Sequence, residues 1–255
     1  MSPFKKFLFE LQEISSLSFF SLAGLRKSPR YLNEIVRQMD LIGVGSLSIV
    51  ILTGFFTGAA LVLQTFQILA YYQAQAQIGR MISLSLIREL GPVLAALMVS
   101  GRIGSAISAE LGSMEVSQQI DAMRALGTDP IRKLVAPRIV ALVFMLPLLT
   151  VVADIFGIIG GGTVARLIFS LDYHVFMASV YEGITIENIV SGMTKPFFFG
   201  LIIGSVACYK GLSTTGGTVG VGRATTKAVV LASVVIIISD FFLTRALQTL
   251  LGIRY

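Results

Sequence analysis

An uncharged run of 39 residues, Leu41 to Gly79, restricts this chain to few folds. As a helix rising 1.5 Å per residue it would reach about 58 Å, whereas the apolar core of a bilayer is about 30 Å thick. The apolar part, roughly Ile42 to Phe66, is predicted to span a membrane, and the polar remainder, Gln64 to Gln77, is interpreted as an interfacial extension. Only 13% of the 255 residues are charged, about half the share of a soluble domain.

Four later stretches are also long and apolar enough to cross a bilayer. They are roughly Leu86 to Leu111, Leu134 to Ala165, Ile189 to Tyr209 and Ala228 to Leu250. The predicted fold class is therefore an all-α integral membrane protein with five transmembrane helices, in one membrane domain that covers residues 41 to 255.

Lysine and arginine are distributed unevenly between the connecting segments. Of the 20, 14 lie in three segments: Met1 to Asp40, Arg102 to Arg138 and Lys210 to Lys227. The positive-inside rule places these segments in the cytoplasm, and five crossings then place the C-terminus outside. This distribution explains the isoelectric point of about 9.6 without nucleic acid as a partner.

Residues 1 to 40 have an amphipathic pattern of their own. Apolar residues recur at helical spacing with Lys5, Lys6, Glu10 and Glu13 between them; they are Phe4, Phe7, Leu8, Leu11 and Ile14. The pattern is typical of a helix that lies in the membrane interface. The alternative is a helix that packs on its own protein.

Small residues at fourfold spacing mark several spans. The pairs are Gly54 and Gly58, Gly157 and Gly161, and Gly200 and Gly204. Helices in lipid associate by close backbone approach, which small residues permit. The pattern predicts a tight bundle and a helix pair across a dimer axis, with packing inside one chain as the alternative for some of these faces.

Two carboxylates interrupt the apolar spans, Asp154 in the third and Asp240 in the fifth. Each costs about 2.5–3.5 kcal/mol at the centre of a membrane helix and must therefore face protein or a wet cavity. We interpret them as carboxylates that hydrogen-bond to neighbouring helices. A proton relay is the alternative.

The segment between the second and third spans predicts a short helix at about 115–127. Val116, Ile120, Met123 and Leu126 form one apolar stripe, and Gly127 is placed to end the helix. Asp129 followed by Pro130 predicts the N-cap of the next helix. The sequence from Asp121 to Gly127 resembles the coupling element of ABC importer permeases, and a helix packed on the membrane surface is the alternative. The candidate ATPase-coupling residues are Glu115, Val116, Gln119, Ile120, Asp121, Met123 and Gly127.

Catalytic and cofactor chemistry is not predicted for this chain. One cysteine and one histidine cannot form a disulfide framework or a Cys/His metal site within one copy. The run from Gly216 to Thr226 is close to a phosphate-binding loop, but Arg223 and Ala224 stand where that motif has lysine and Ser/Thr. We interpret the run as a loop between two spans, with Thr225 and Thr226 capping the fifth. The chain is expected to be no enzyme and to bind no cofactor.

Several motifs together closely resemble the MlaE-type permeases, which are membrane subunits of ABC transporters that act on lipids with MCE-domain proteins. The motifs are "FTGAALVLQ" from Phe56, "RELGPVLAALMVSGRIGSAISAELGSMEVSQQIDAM" from Arg88, "LGTDPIRKLVAPR" from Leu126, "LPLLT" from Leu146, "GVGRATTKAVV" from Gly220 and "SDFFLT" from Ser239. One departure is Gln118, where the family pattern suggests glutamate. It puts in doubt a salt bridge to the ATPase.

The resemblance implies a homodimeric five-span permease domain in the bacterial inner membrane. Each copy would bind a cytoplasmic ATPase that holds ATP and magnesium, with an MCE-domain ring outside and, in many such systems, a STAS-domain regulator. The substrate would be a phospholipid or related lipid in a cavity between the copies. Candidate cavity residues are Leu61, Ile68, Leu69, Tyr72, Arg88, Glu89 and Leu90.

Arg88 and Glu89 are interpreted as a charged pair at the outer mouth of the second span. Such a pair suits a lipid headgroup, because Arg matches the geometry of phosphate. The alternative is a structural pair that satisfies itself. Pro92 would loosen the same helix, since proline removes a backbone donor. The alternative function is an ion-coupled secondary carrier that uses Asp154 and Asp240.

Overall fold

The computed structural model describes residues 12–14, 16–17 and 32–251. Over these residues the regular structure is helical, without a strand, and five helices are long and apolar enough to cross a membrane. This confirms the predicted all-α membrane fold with five spans. In chain order the helices are α1 (Leu32–Tyr71), α2 (Gln75–Val116), α3 (Gln119–Ala125), α4 (Ile131–Leu167), α5 (Tyr173–Gly183), α6 (Ile186–Leu212) and α7 (Gly217–Leu251).

The chain divides into two compact units, and each contains part of all five long helices. The first unit comprises Met1–Val44, Val99–Met145 and Phe198–Ile237, and it includes α3. The second unit comprises Gly45–Met98, Leu146–Phe197 and Ile238–Tyr255, and it includes α5.

Small residues bring α1 and α4 into backbone contact in the second unit. A Cβ added to Gly58 would lie 1.8 Å from the carbonyl oxygen of Gly157, and one added to Gly54 would lie 2.5 Å from that of Ala153. A Cβ added to Gly161 would lie 3.3 Å from the carbonyl oxygen of Gly58. Two of the predicted small-residue pairs are therefore used inside one chain, because only glycine lets the two backbones approach this closely.

Helix α5 packs on the start of α2 in the second unit, although the sequence analysis predicted no helix between the third and fourth spans. Phe176 and Val180 are buried in a cluster with Ile78 and Ile82. The backbone N–H of Arg80 donates to the hydroxyl of Ser179 at 2.9 Å. The missed signal was local: the Asp172 carboxylate accepts from the backbone N–H of His174 and caps the helix.

In the first unit, α6 contacts α4 and α2 through further glycines. A Cβ on Gly200 would lie 2.7 Å from the carbonyl oxygen of Leu142, and one on Gly211 would lie 2.7 Å from Cβ of Leu111. The third predicted small-residue pair, Gly200 and Gly204, therefore also serves packing inside the chain.

The predicted interfacial helix of residues 1–40 lies largely outside the described residues, including Phe4, Phe7, Leu8 and Leu11. Where the segment is described, Ile14 is buried against Val206 and Ala232. The hydroxyl of Tyr209 donates to the Glu13 carboxylate at 2.5 Å. At these positions the segment packs on its own protein.

Helix α7 begins earlier than the sequence suggested. Two glycines have positive φ where it begins, Gly216 at 90° just before the helix and Gly217 at 68° as its first residue, and residues 217–227 are already helical. The expected loop is therefore wrong from Gly217 onward. The Thr225 and Thr226 hydroxyls donate to the carbonyl of Gly222 inside α7 and do not cap it. Helix α7 is also the least buried of the five spans, since 17% of its apolar stretch of 18 residues is buried.

Candidate functional site

The predicted coupling helix is shorter than expected. Helix α2 continues to Val116, and α3 begins only at Gln119. Between them Gln118 takes a left-handed backbone conformation with φ 58°, which interrupts the helix. The predicted helix at about 115–127 is therefore wrong at its start: Glu115 and Val116 belong to the end of α2.

One residue of the predicted apolar stripe is buried inside the chain itself. Ile120 is fully buried, whereas Leu126 is 83% exposed and Val116 is 38% exposed. Met123 is half-buried. Ile120 therefore holds α3 on its own unit, and it is not available as a contact for a partner. The exposed residues of α3 are Gln119, Asp121, Ala122, Arg124 and Ala125.

The end of α3 agrees with the sequence prediction. The backbone N–H of Thr128 donates to the carbonyl of Met123, and that of Gly127 donates to the carbonyl of Arg124. This is the Schellman pattern, and Gly127 takes φ 74° at its left-handed position. The Asp129 carboxylate then accepts from the backbone N–H of Ile131 at 3.0 Å, which confirms it as the cap of α4.

An ion pair joins the two helices that flank α3. Arg138 in α4 is 3% exposed and lies 2.8 Å from the Glu110 carboxylate of α2. Its guanidinium also donates to the carbonyl of Leu134. No pattern in the sequence predicted this pair. The pair therefore holds together the two helices between which α3 lies in the chain.

A second polar cluster lies inside the second unit, around Lys195 of α6. Its ammonium is fully buried and lies 3.0 Å from Oδ1 of Asp240 in α7. It is also paired with the Glu89 carboxylate of α2 and donates to the carbonyl of Arg88 at 2.8 Å. The Thr244 hydroxyl donates to Glu89 at 3.2 Å. We call Glu89, Lys195, Asp240 and Thr244 the lysine cluster.

The lysine cluster corrects one interpretation of the sequence and agrees with another. Within residues 32–250 Glu89 is paired with Lys195 and not with Arg88, so the predicted Arg88–Glu89 pair is wrong. Asp240 likewise has a cationic partner on another helix. The side chains of Glu89 and Asp240 are 37% and 20% exposed, so the cluster opens on one side.

Asp154 lies against a glycine of α2. A Cβ on Gly91 would be 1.8 Å from Oδ1 of Asp154, so the missing side chain makes room for the carboxylate. In the described part of the chain Oδ1 is buried without a hydrogen-bond partner. Gly91 follows a π-helical turn at Leu86–Leu90, next to Pro92. Single π turns often mark functional sites, and this one shows that α2 is irregular where proline was expected to loosen it.

The predicted lipid-cavity residues separate into two groups. Leu69 is buried, and Leu61 and Leu90 pack against the same core cluster, so these three belong to the interior of the second unit. Ile68 and Tyr72 are 58% and 71% exposed. Arg88 is half-buried in the π turn, next to Glu89 of the lysine cluster. Among the described residues, no three His, Cys, Asp or Glu side chains are grouped so that they could hold a metal ion.

Comparisons with known proteins agree with this architecture. The family model described as permease MlaE matches residues 35–246. A probable ABC transporter permease protein of Rickettsia prowazekii is 41% identical over 241 residues, covering 94% of this chain and 92% of its own. One from Synechocystis is 41% identical over 209 residues, covering 82% and 80%. Protein TRIGALACTOSYLDIACYLGLYCEROL 1, chloroplastic, of Arabidopsis thaliana is 38% identical over 209 residues, covering 82% of this chain and 60% of its own.

Proposed function

The chain belongs to the MlaE family of ABC transporter permeases, and from this premise we propose that it moves phospholipid or a related lipid with energy from a separate ATPase. The family match across residues 35–246 is the observation that carries the proposal. The name of the Arabidopsis relative, which is that of a galactolipid, supports a lipid as substrate.

The proposed ATPase contact is the exposed face of α3. Two small residues, Ala122 and Ala125, leave room on this face for a partner, and Asp121 and Arg124 form an exposed ion pair 3.0 Å apart beside them. Closure of the ATPase pushes α3, and Ile120 and the Arg138–Glu110 pair pass that push to α2 and α4. ATP and magnesium stay on the ATPase, because residues 217–227 form a helix here and not a phosphate-binding loop.

The proposed orientation follows from the distribution of lysine and arginine. It places α3 on the cytoplasmic side of a bacterial inner membrane, with the N-terminus, and it places α5 and the C-terminus on the periplasmic side. An MCE-domain protein would exchange lipid with the chain on that outer side, and a STAS-domain regulator would bind the ATPase.

The ABC permease family supports a homodimer, and we place its contact on the face of α7 that its own chain leaves uncovered. Val230, Val234, Ile237, Phe241 and Phe242 are each between 47% and 68% exposed, on a span that buries little of itself in its own chain. In the proposed homodimer the lipid lies between the copies, near the exposed Ile68 and Tyr72 and the open side of the lysine cluster. An ion-coupled carrier is not favoured, since Asp240 is held by Lys195.

The ATPase contact can be tested by placing a long charged side chain on α3. We expect Ala122→Arg to abolish co-purification of the ATPase and ATP-dependent lipid transfer in vesicles, because the side chain fills the docking face. The matched control is Ala178→Arg, which makes the same change at an exposed alanine of α5. It should keep the ATPase bound.

The two measurements separate the parts of the proposal. If Ala122→Arg still captures the ATPase at the wild-type ratio, α3 is not the coupling element. If the ATPase is captured and ATP is hydrolysed, but no labelled phospholipid moves in either direction in wild-type vesicles, the lipid substrate is wrong and the ABC assignment remains.

A further inference from the structure

A basic pocket in the first unit has no role in the function proposed above. It lies between the end of α6 and the start of α7 and encloses a cavity of about 380 Å³. Three cationic side chains line it, Lys210, Arg223 and Lys227, together with the hydroxyls of Ser213 and Thr215. We call it the basic pocket. Its volume is in the range of pockets that hold small molecules.

The charge of the basic pocket is not balanced by its own lining. None of its lining residues is acidic, and in residues 32–250 neither Arg223 nor Lys227 forms an ion pair. The hydroxyl of Tyr209, which also lines the pocket, donates to the Glu13 carboxylate. Lys210 lies over the ring of Tyr209 at 5.4 Å. Arg223 and Lys227 are exposed at this cavity and Lys210 is half-buried, so the pocket presents an open basic surface that attracts an anion.

The surrounding residues favour phosphate chemistry. Arg223 offers a planar fork of donors that matches phosphate oxygens, and the two lysines add point charges. Helix α7 begins at Gly217, and its first turn reaches the cavity at Gly220, so the positive end of its dipole adds to the same field. The glycine-rich run that resembles a phosphate-binding loop therefore contributes to an anion pocket without forming such a loop.

The position of the pocket along the spans indicates the source of the anion. Lys210 lies in the last turn of α6, after the apolar part of that helix, and Lys227 directly precedes the uncharged residues 228–239 of α7. Both cations thus sit where apolar span meets polar segment, which is the depth of lipid headgroups. Basic pockets between helices at this depth are suited to anionic headgroups.

We propose that the basic pocket binds a phosphate-bearing anion, supplied by an anionic phospholipid of the surrounding leaflet. With the orientation proposed above, that leaflet is the cytoplasmic one. The bound headgroup would neutralise Arg223 and Lys227 and fix the turn at residues 213–216 between α6 and α7. This lipid is a resident ligand, separate from the transported one.

The test uses the full-length chain, purified in mild detergent and stripped of lipid. Binding is counted by native mass spectrometry during titration with phosphatidylglycerol, phosphatidylcholine or inorganic phosphate. We expect phosphatidylglycerol to bind most tightly, and Arg223→Gln to weaken it about fivefold, the equivalent of one cation near a lipid surface. Arg223→Lys should recover most of the affinity.

The control is Lys133→Gln, which removes an exposed cation of the same unit outside the pocket and should leave the affinity unchanged. Phosphate binding that depends on Arg223 and equals that of phosphatidylglycerol would support the anion site with a free ion as its source. Equal effects of Arg223→Gln and Lys133→Gln would overturn the proposal.

Loss of ATPase capture in Arg223→Gln with unchanged lipid affinity would also overturn it, because the pocket would then be a protein interface. The titration itself contains neither ATPase nor ATP, so its result is independent of whether the chain transports lipid.

Discussion

Replacing Lys195 by methionine tests whether the lysine cluster stabilises the second unit. Methionine keeps much of the length of the side chain but removes the cation with which Glu89 and Asp240 pair in residues 32–250. It also removes the donor to the carbonyl of Arg88. Two carboxylates would then share a largely apolar environment without a counter-ion.

The size of the effect follows from burial. Breaking a fully buried ion pair by removing one partner costs about 3–5 kcal/mol. The ammonium is fully buried, but Glu89 is 37% and Asp240 20% exposed, so water screens part of the remaining charge. We therefore expect Lys195→Met to lower the free energy of unfolding by about 2–3 kcal/mol, at or just below the lower limit of that range.

The assay is reversible denaturation of the full-length chain in mixed micelles, with Lys133→Met as the control at an exposed lysine. A triple variant with Glu89→Gln, Lys195→Met and Asp240→Asn removes all three charges and should recover most of the loss, because no unpaired charge remains. If Lys195→Met loses no more than Lys133→Met, the cluster does not stabilise the fold. If the triple variant is as unstable as the single one, unpaired charge is not the reason.

Two further changes test packing and the end of α3. Gly58→Ala should lower the yield of folded protein in membranes, because the added Cβ would clash with the backbone of Gly157. The control Gly101→Ala should be tolerated, because nothing lies within 4 Å of the Cβ added there. Equal yields would contradict the close α1–α4 contact. Gly127→Ala should destabilise the end of α3 by about 1–2 kcal/mol, because alanine is strained at the positive φ of this position. We expect the rate of ATP hydrolysis in the complex to fall. An unchanged rate would show that this end of α3 need not be fixed.

The parts of the fold that sequence predicted well are those set by neighbouring residues. The five spans follow from the length of apolar runs, and the stop at Gly127 and the cap at Asp129 follow from local backbone chemistry. The start of α7 was predicted wrongly because only the neighbouring residues were considered. Glycines at 216–222 suggest a turn in isolation, but a helix of 35 residues continues through them once it has begun.

The candidate site was harder to predict because its contacts join distant positions. Glu89 and Lys195 are 106 residues apart, and only the register of their helices brings them together. The apolar stripe on α3 showed which side is apolar but not what covers it; the structure buries Ile120 in its own unit. Sequence alone had left both a partner and the membrane surface as choices.

Burial also refines the charge asymmetry on which the proposed orientation rests. The count of 14 basic residues on one side and six on the other treats every cation as if it lay in water. Lys195, on the side with six, is fully buried and paired, and Arg138, on the side with 14, is 3% exposed and paired with Glu110. Removing one from each side leaves 13 against five. A buried cation that is paired with a carboxylate does not help to hold its segment on one side of a membrane. The count of 13 against five is therefore the relevant one, and it favours the same orientation.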